Sequence, residues 1–144
     1  MSKETFDTFS EDETFAIAQK LAESAGPGDV FALMGDLGAG KTVFAKGFAA
    51  GLGVSESVVS PTFTLVQIYE SGRMPLYHFD VYRIGDISEM DETGYEDCFY
   101  GDGVTVVEWA DLIESLLPEN TTFVTITADP VQGSGHRKIT IEKQ

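Results

Sequence analysis

The sequence predicts a three-layer α/β domain with a mixed parallel and antiparallel central sheet. Three observations carry that prediction. An apolar run at 30–34, VFALM, leads directly into a glycine-rich loop and then into a helix with one apolar face. A second run of the same kind, GVTVVEW at 103–109, reads as another strand buried on both faces, the pattern of a parallel strand covered by helices. Strand-rich segments interleave with the helices later in the chain, which adds antiparallel pairs to the sheet.

Each element follows from its local pattern. Ser10 followed by Glu13 is a capping-box spacing, and Phe15, Ala18, Leu21, Ala22 and Ala25 then recur at helical intervals, so a helix is predicted over about 11–25. The cluster Gly26-Pro27-Gly28-Asp29 ends it, and Val30 to Met34 reads as a central strand. After the glycine-rich loop, Phe44, Phe48 and Leu52 share a helical face that stops at Gly53. Residues 55–62 are polar and end in a Ser-Pro step, which disfavours helix at Ser60, so they read as a loop. FTLVQIYE and MPLYHFDVY, separated by Ser71, Gly72 and Arg73, predict a hairpin. The acidic, glycine-rich stretch 85–103 leaves room for a short helix at most. ADLIESLL is a short helix stopped by Pro118, and TTFVTITA with HRKITIEK forms a closing pair of strands.

The 144 residues suffice for one domain with its own core, and 42% hydrophobic with 23% charged residues is the balance of a globular protein. The single cysteine, Cys98, reads as a part-buried small apolar residue in a reducing compartment. The first residues carry acids early and no apolar segment resembling a leader. No run reaches the roughly 18 apolar residues of a membrane span, so a cytoplasmic location is expected. Acids outnumber bases 24 to 9, a formal net charge of -15, and every charged side chain between Arg83 and Arg137 is acidic. Nucleic-acid binding leaves a basic footprint, because neutralised phosphates release counterions. Tight binding of nucleic acid by this chain alone is therefore disfavoured; the acidic stretch is either a solvated face or a docking surface for a basic partner.

The chemistry is concentrated in GDLGAGKT. Gly35, four residues, then Gly40, Lys41 and Thr42 give the spacing of a phosphate loop, placed between a buried strand and a helix as that loop requires. Backbone N–H groups of Gly35, Asp36, Leu37, Gly38, Ala39 and Gly40 would face phosphate oxygens. Lys41 would reach the β- and γ-phosphates, and the Thr42 hydroxyl would ligate Mg2+. The domain is thus expected to be P-loop NTPase-like and to bind a nucleoside triphosphate. An acid at the end of a neighbouring strand should complete the Mg2+ side. Asp80 and Glu108 both qualify; Glu108 follows the more apolar strand, Asp80 then orients or deprotonates the attacking group, and the two roles are interchangeable at this level. The Ser60-Pro61-Thr62 loop lies where a switch loop would contact the γ-phosphate, or is a plain connection. His78 shares a strand face with Asp80 and is expected to line the site; with His136 as the only other histidine, a metal cluster is unsupported. Trp109 either stacks on a ligand or partner or serves the core.

The only asparagine is Asn120, so the Asn-Lys-x-Asp guanine element of small GTPases is absent, and Asp91 to Gly94 matches Asp-x-x-Gly without a strand leading into it. Three arginines equip a nucleotide kinase poorly, although transfer of the γ-phosphate to a small acceptor remains the alternative reading.

With GDLGAGKT, SPTFTLV, HFDVYR at 78–83 and VEW at 107–109 in view, the sequence resembles the TsaE (YjeE) family of small bacterial ATPases across nearly its whole length. The resemblance implies slow ATP hydrolysis in support of N6-threonylcarbamoyladenosine formation at position 37 of tRNA. It also implies action in a complex with TsaB and TsaD, with tRNA met only through that complex. By the same resemblance Lys41 and Thr42 bind phosphate and Mg2+, Glu108 completes the Mg2+ site, and Asp80 and Thr62 lie around the γ-phosphate. Trp109 and Arg83 also occupy family positions, and the segment Ser10 to Thr14 contributes to an adenine pocket.

Overall fold

The computed structural model describes residues 2–35, 40–59 and 65–143. Among them, seven strands form one sheet. In chain order these are β1 (Ser2–Thr8), β2 (Val30–Gly35), β3 (Val66–Tyr69), β4 (Leu76–Asp80), β5 (Val104–Glu108), β6 (Thr122–Ala128) and β7 (Arg137–Lys143). Their spatial order is β1-β7-β6-β2-β5-β4-β3. β2 runs parallel to both β5 and β6, and β4 runs parallel to β5. The hairpin β3–β4 and the pairs β6–β7 and β1–β7 are antiparallel. The mixed sheet expected from the sequence is present, with the strand before the phosphate loop at its centre.

Alternation along the central strands builds three layers. Phe31 and Leu33 of β2, with Val104 and Val106 of β5, face helices α1 (Glu11–Glu23) and α2 (Lys41–Gly51), which contribute Ala18, Ala22, Phe44 and Phe48 to the same cluster. Val30, Ala32 and Val107 face the opposite side, against Met90, Phe99 and Ile113. All five residues of β5 are buried, as a strand covered on both faces requires.

The capping pattern of α1 is realised with a shift: Ser10 Oγ accepts from Glu13 N at 3.2 Å, while Glu13 Oε1 accepts from Phe9 N rather than from the cap residue itself. α2 stops where the sequence predicts, with Leu52 as its cap and Gly53 at φ 85° turning the chain away.

Three segments differ from the sequence reading. β1 was not anticipated, because SKETFDT has one large apolar residue and no apolar alternation; edge pairing with β7 forms it, with Lys3 opposite Glu142 and Asp7 opposite Lys138. The stretch 85–103 holds two short helical turns, a 3₁₀ segment at Ile87–Thr93 and α3 (Tyr95–Phe99), divided by Gly94 at φ 73°. ADLIESLL forms 3₁₀ turns broken at Ile113 rather than a regular helix. Cys98 is buried and unpaired, as expected. Among the described residues no helix is long and apolar enough to cross a membrane.

Candidate functional site

β2, β4 and β5 are parallel, so their carboxyl ends lie at one end of the sheet, where a doubly wound α/β sheet opens its crevice. A cavity of about 480 Å³ occupies that place. Gly40, Lys41 and Thr42 form one wall, at the start of α2. Asp80 and Glu108, register partners on β4 and β5, form the second together with Tyr82 and Trp109. Ser10 and Thr14 at the start of α1, with Ser134 ahead of β7 and Arg137 at its first position, close the far side.

The loop glycines are set by backbone geometry. Gly35 has φ 141°, and an added Cβ would run into the Ile126 carbonyl of β6; Gly40, the N-cap of α2, has φ 104°. The ends of the loop therefore fit glycine and no larger residue. Lys41 is only 5% exposed, and its Nζ donates to Gly35 O at 2.8 Å while lying 4.0 Å from the centre of the Trp109 ring. A mostly buried cation thus stands at the helix N-terminus, where backbone N–H groups add positive potential. Asp36, Leu37, Gly38 and Ala39, together with Ser60, Pro61 and Thr62, lie outside the described residues.

The two acids differ in environment. Glu108 is 2% exposed, and its Oε2 lies 2.6 Å from His78 Nε2. Asp80 is half-buried and accepts from Tyr82 N at 3.0 Å. Burial pushes the Asp80 carboxyl above its ordinary range, the Tyr82 amide opposes this, and the neighbouring Glu108 charge adds to the rise. His78, expected to line the site, is instead buried behind Glu108 and does not border the cavity. The reason is its place two residues before Asp80, a full strand repeat deeper in the sheet.

Trp109 borders the cavity and packs against Tyr82, with ring centres 4.7 Å apart and planes tilted by 38°. Its φ of 62° is costly for a bulky residue, and its ring lies over the Lys41 ammonium. Asp91 and Gly94 border a separate surface depression, apart from the cavity.

A family model described as "Threonylcarbamoyl adenosine biosynthesis protein TsaE" matches residues 8–139. The chain belongs to the TsaE family. It is 50% identical over 133 residues to a Bacillus subtilis (strain 168) protein named tRNA threonylcarbamoyladenosine biosynthesis protein TsaE, covering 92% of this chain and 81% of that one. A Treponema pallidum (strain Nichols) protein of the same name is 46% identical over 114 residues, 79% of this chain and 82% of its own. The solved structure titled "Crystal structure of Bacillus subtilus YdiB" superposes with a TM-score of 0.83 at 44% identity, covering 97% of this chain and 84% of that chain. The fold is that of a TsaE structure, and the family belongs to threonylcarbamoyladenosine biosynthesis for tRNA.

Within this TsaE-family chain, the cavity brings together Gly40, Lys41, Thr42, Asp80, Glu108 and Trp109 from the sequence-derived set. Gly35 supports it from behind by accepting from Lys41, and the exposed Arg83 lies outside its lining. Arg137 was missed. It is half-buried, its Nη1 donates to His136 O at 2.8 Å and Ser134 O at 3.3 Å, and its Nε is 3.9 Å from where a Cβ on Gly40 would sit. No local motif marks it; only its position as the first base after the acidic stretch sets it apart.

Proposed function

We propose that this chain is a slowly hydrolysing P-loop ATPase that supports threonylcarbamoyladenosine formation on tRNA as part of a complex with TsaB and TsaD. One observation carries the reading: a nearly buried lysine at a glycine-flanked helix N-terminus, facing two register-paired acids across one cavity.

The residues present suit ATP and Mg2+. A buried ammonium, the N–H groups opening α2 and Arg137 offer positive charge to a polyphosphate, with Asp36, Leu37, Gly38 and Ala39 assigned to the same loop by spacing. Among the described residues no three His, Cys, Asp or Glu side chains converge on a point. A magnesium held by Thr42 and Glu108 does not need them, because that ion keeps waters and phosphate oxygens as its other ligands. When bound, Mg2+ with ATP supplies charge neutralisation across the β- and γ-phosphates.

The protein groups then divide the work. Lys41 offsets charge that develops on the transferring phosphoryl group, which is a larger contribution in a buried site than in water. Glu108, fixed through His78, serves the metal side. Asp80, bordering the cavity with a raised pKa, orients the attacking water and accepts its proton; Thr62 is assigned to the γ-phosphate side by family pattern. Trp109 braces Lys41, and Ser10 and Thr14 stand on the nucleoside side. The acidic surface favours a protein complex over tRNA as the direct contact, so tRNA is met through TsaB and TsaD.

Phosphate release from ATP by the purified chain, alone and with TsaB, TsaD and tRNA, tests the reading. Slow release that rises with the complex is expected. Release indifferent to the complex would redirect the search to a small-molecule phosphate acceptor.

A further inference from the structure

Glu108 presents an unusual arrangement for a group assigned to a metal. It borders the cavity, yet its side chain is only 3% exposed, and the partner on its buried side is an equally buried histidine. A carboxylate taken out of water needs compensating hydrogen bonds. His78 meets that need from the neighbouring strand. β4 and β5 run parallel with Asp80 opposite Glu108 and His78 opposite Val106, so the ring reaches diagonally up to the carboxylate from one strand repeat below.

The imidazole's hydrogen bonding settles which nitrogen donates. Nε2 lies 2.6 Å from Glu108 Oε2, whereas Nδ1 is buried without a partner. A proton on Nδ1 would leave a buried N–H unsatisfied, so the donor is Nε2–H and Nδ1 is the bare nitrogen. The bond holds one carboxylate oxygen down into the sheet and thereby fixes the rotation of the whole group.

The geometry points to His78 as the positioning residue for Glu108: the Nε2–H bond orients the carboxylate toward the cation that accompanies the nucleotide, without His78 touching nucleotide or metal. This assignment rests on the Mg2+-dependent ATPase reading above. Outer-shell partners of this kind are commonly worth 10- to 100-fold in metal affinity.

The test compares His78→Gln, whose amide nitrogen falls near the position of Nε2, with His78→Asn, which is too short to reach Glu108. Fluorescent ADP is titrated at graded Mg2+ and again in EDTA, with thermal unfolding recorded for each variant. His78→Asn is expected to raise the Mg2+ concentration for half-maximal tightening by about tenfold or more, with affinity in EDTA unchanged. His78→Gln should stay within about threefold of wild type. Equal Mg2+ requirements in the two variants would overturn the assignment, as would a loss in His78→Asn that appears equally in EDTA.

A measurement on the unaltered chain keeps the idea open to refutation should His78→Asn not fold. With two histidines in the sequence, ¹⁵N-imidazole NMR separates His78 from His136. The His78 resonances should report the Nε2–H tautomer and move when Mg2+ joins bound ADP; an Nδ1–H tautomer, or no movement, would overturn it. If wild type binds ADP without any Mg2+ sensitivity, the ATPase reading itself falls first and this assignment with it.

Discussion

Replacing Gly47 with alanine tests the close packing of α2 against α1. Gly47 and Gly51 lie one turn apart on α2 and face Phe15 and Gln19, one turn apart on α1. A Cβ on Gly47 would collide with the Phe15 carbonyl oxygen and sit 3.0 Å from Phe15 Cα; one on Gly51 would sit 2.7 Å from the Ala22 methyl. Carbon atoms in contact prefer about 3.5–4.0 Å, so the helices must part by roughly 1 Å. In an unobstructed helix the same substitution would stabilise by about 1 kcal/mol. Overpacking against a backbone, which has no rotamer to yield, costs about 1–3 kcal/mol, and the upper part of that range applies here. A net loss of about 1–2 kcal/mol is expected, a fall in Tm of roughly 3–7 °C for a domain of this size. Gly26→Ala, with nothing within 4 Å of the added methyl, should leave Tm nearly unchanged. Because one separation of the helices accommodates both methyls, the double variant Gly47→Ala/Gly51→Ala should lose less than the two single losses added together. Thermal unfolding followed by circular dichroism reads the wild type, the two single variants, the double variant and Gly26→Ala. A Gly47→Ala chain as stable as wild type, or more so, would refute the close backbone approach.

Three further outcomes follow from the site. Lys41→Ala should keep the fold and lose nucleotide affinity by about 100-fold in a fluorescent-nucleotide titration, because it removes the buried ammonium and leaves the glycines that shape the loop ends; an unfolded variant would count against the assignment. Asp80→Asn should raise Tm at neutral pH by about 1–2 °C, a small effect because solvent screens the half-buried group. A carboxyl whose pKa is raised on folding favours the folded state while protonated and loses that benefit as pH rises through the folded value, so the gain should vanish below about pH 4. Arg137→Ala should weaken nucleotide binding by about tenfold with little change in Tm, and unchanged affinity would remove Arg137 from the binding surface.

What could be read in the sequence was whatever a contiguous segment specifies. Val30 to Thr42 carries its strand, loop and helix start in one stretch, and the apolar run ending at Glu108 announces a buried strand with an acid at its tip. Features that depend on distant segments were not readable. β1 exists because β7 offers it an edge, and its own residues carry no apolar period. Arg137 joins the cavity because the antiparallel β7 begins at the end of the sheet where β2 finishes. The burial of His78 also needed the register of β4 against β5, since HFD alone shows a shared strand face and not the depth at which the ring lies. The 3₁₀ form of ADLIESLL and its break at Ile113 were equally hidden, as was the positive φ of Trp109, since no periodicity rule anticipates a bulky residue in that conformation.

The cavity's two halves therefore differ in origin, and this bears on how the proposed activity would be regulated. One half comes from the start of α2 and the tips of β4 and β5, where Lys41 and Glu108 are buried. The opposite half comes from the start of α1 and the turn before β7, where Ser10, Ser134 and Gly135 are exposed. Opening free energies fall where burial is low, so that second half is the part a bound protein can reshape at least cost. Around it lies a chain of net charge -15, which opposes a polyanion at long range while Lys41 and Arg137 attract it at short range. A partner surface carrying positive charge would relieve the first effect without touching the second. Slow turnover alone and faster turnover in a complex are what such a division of charge and rigidity would produce.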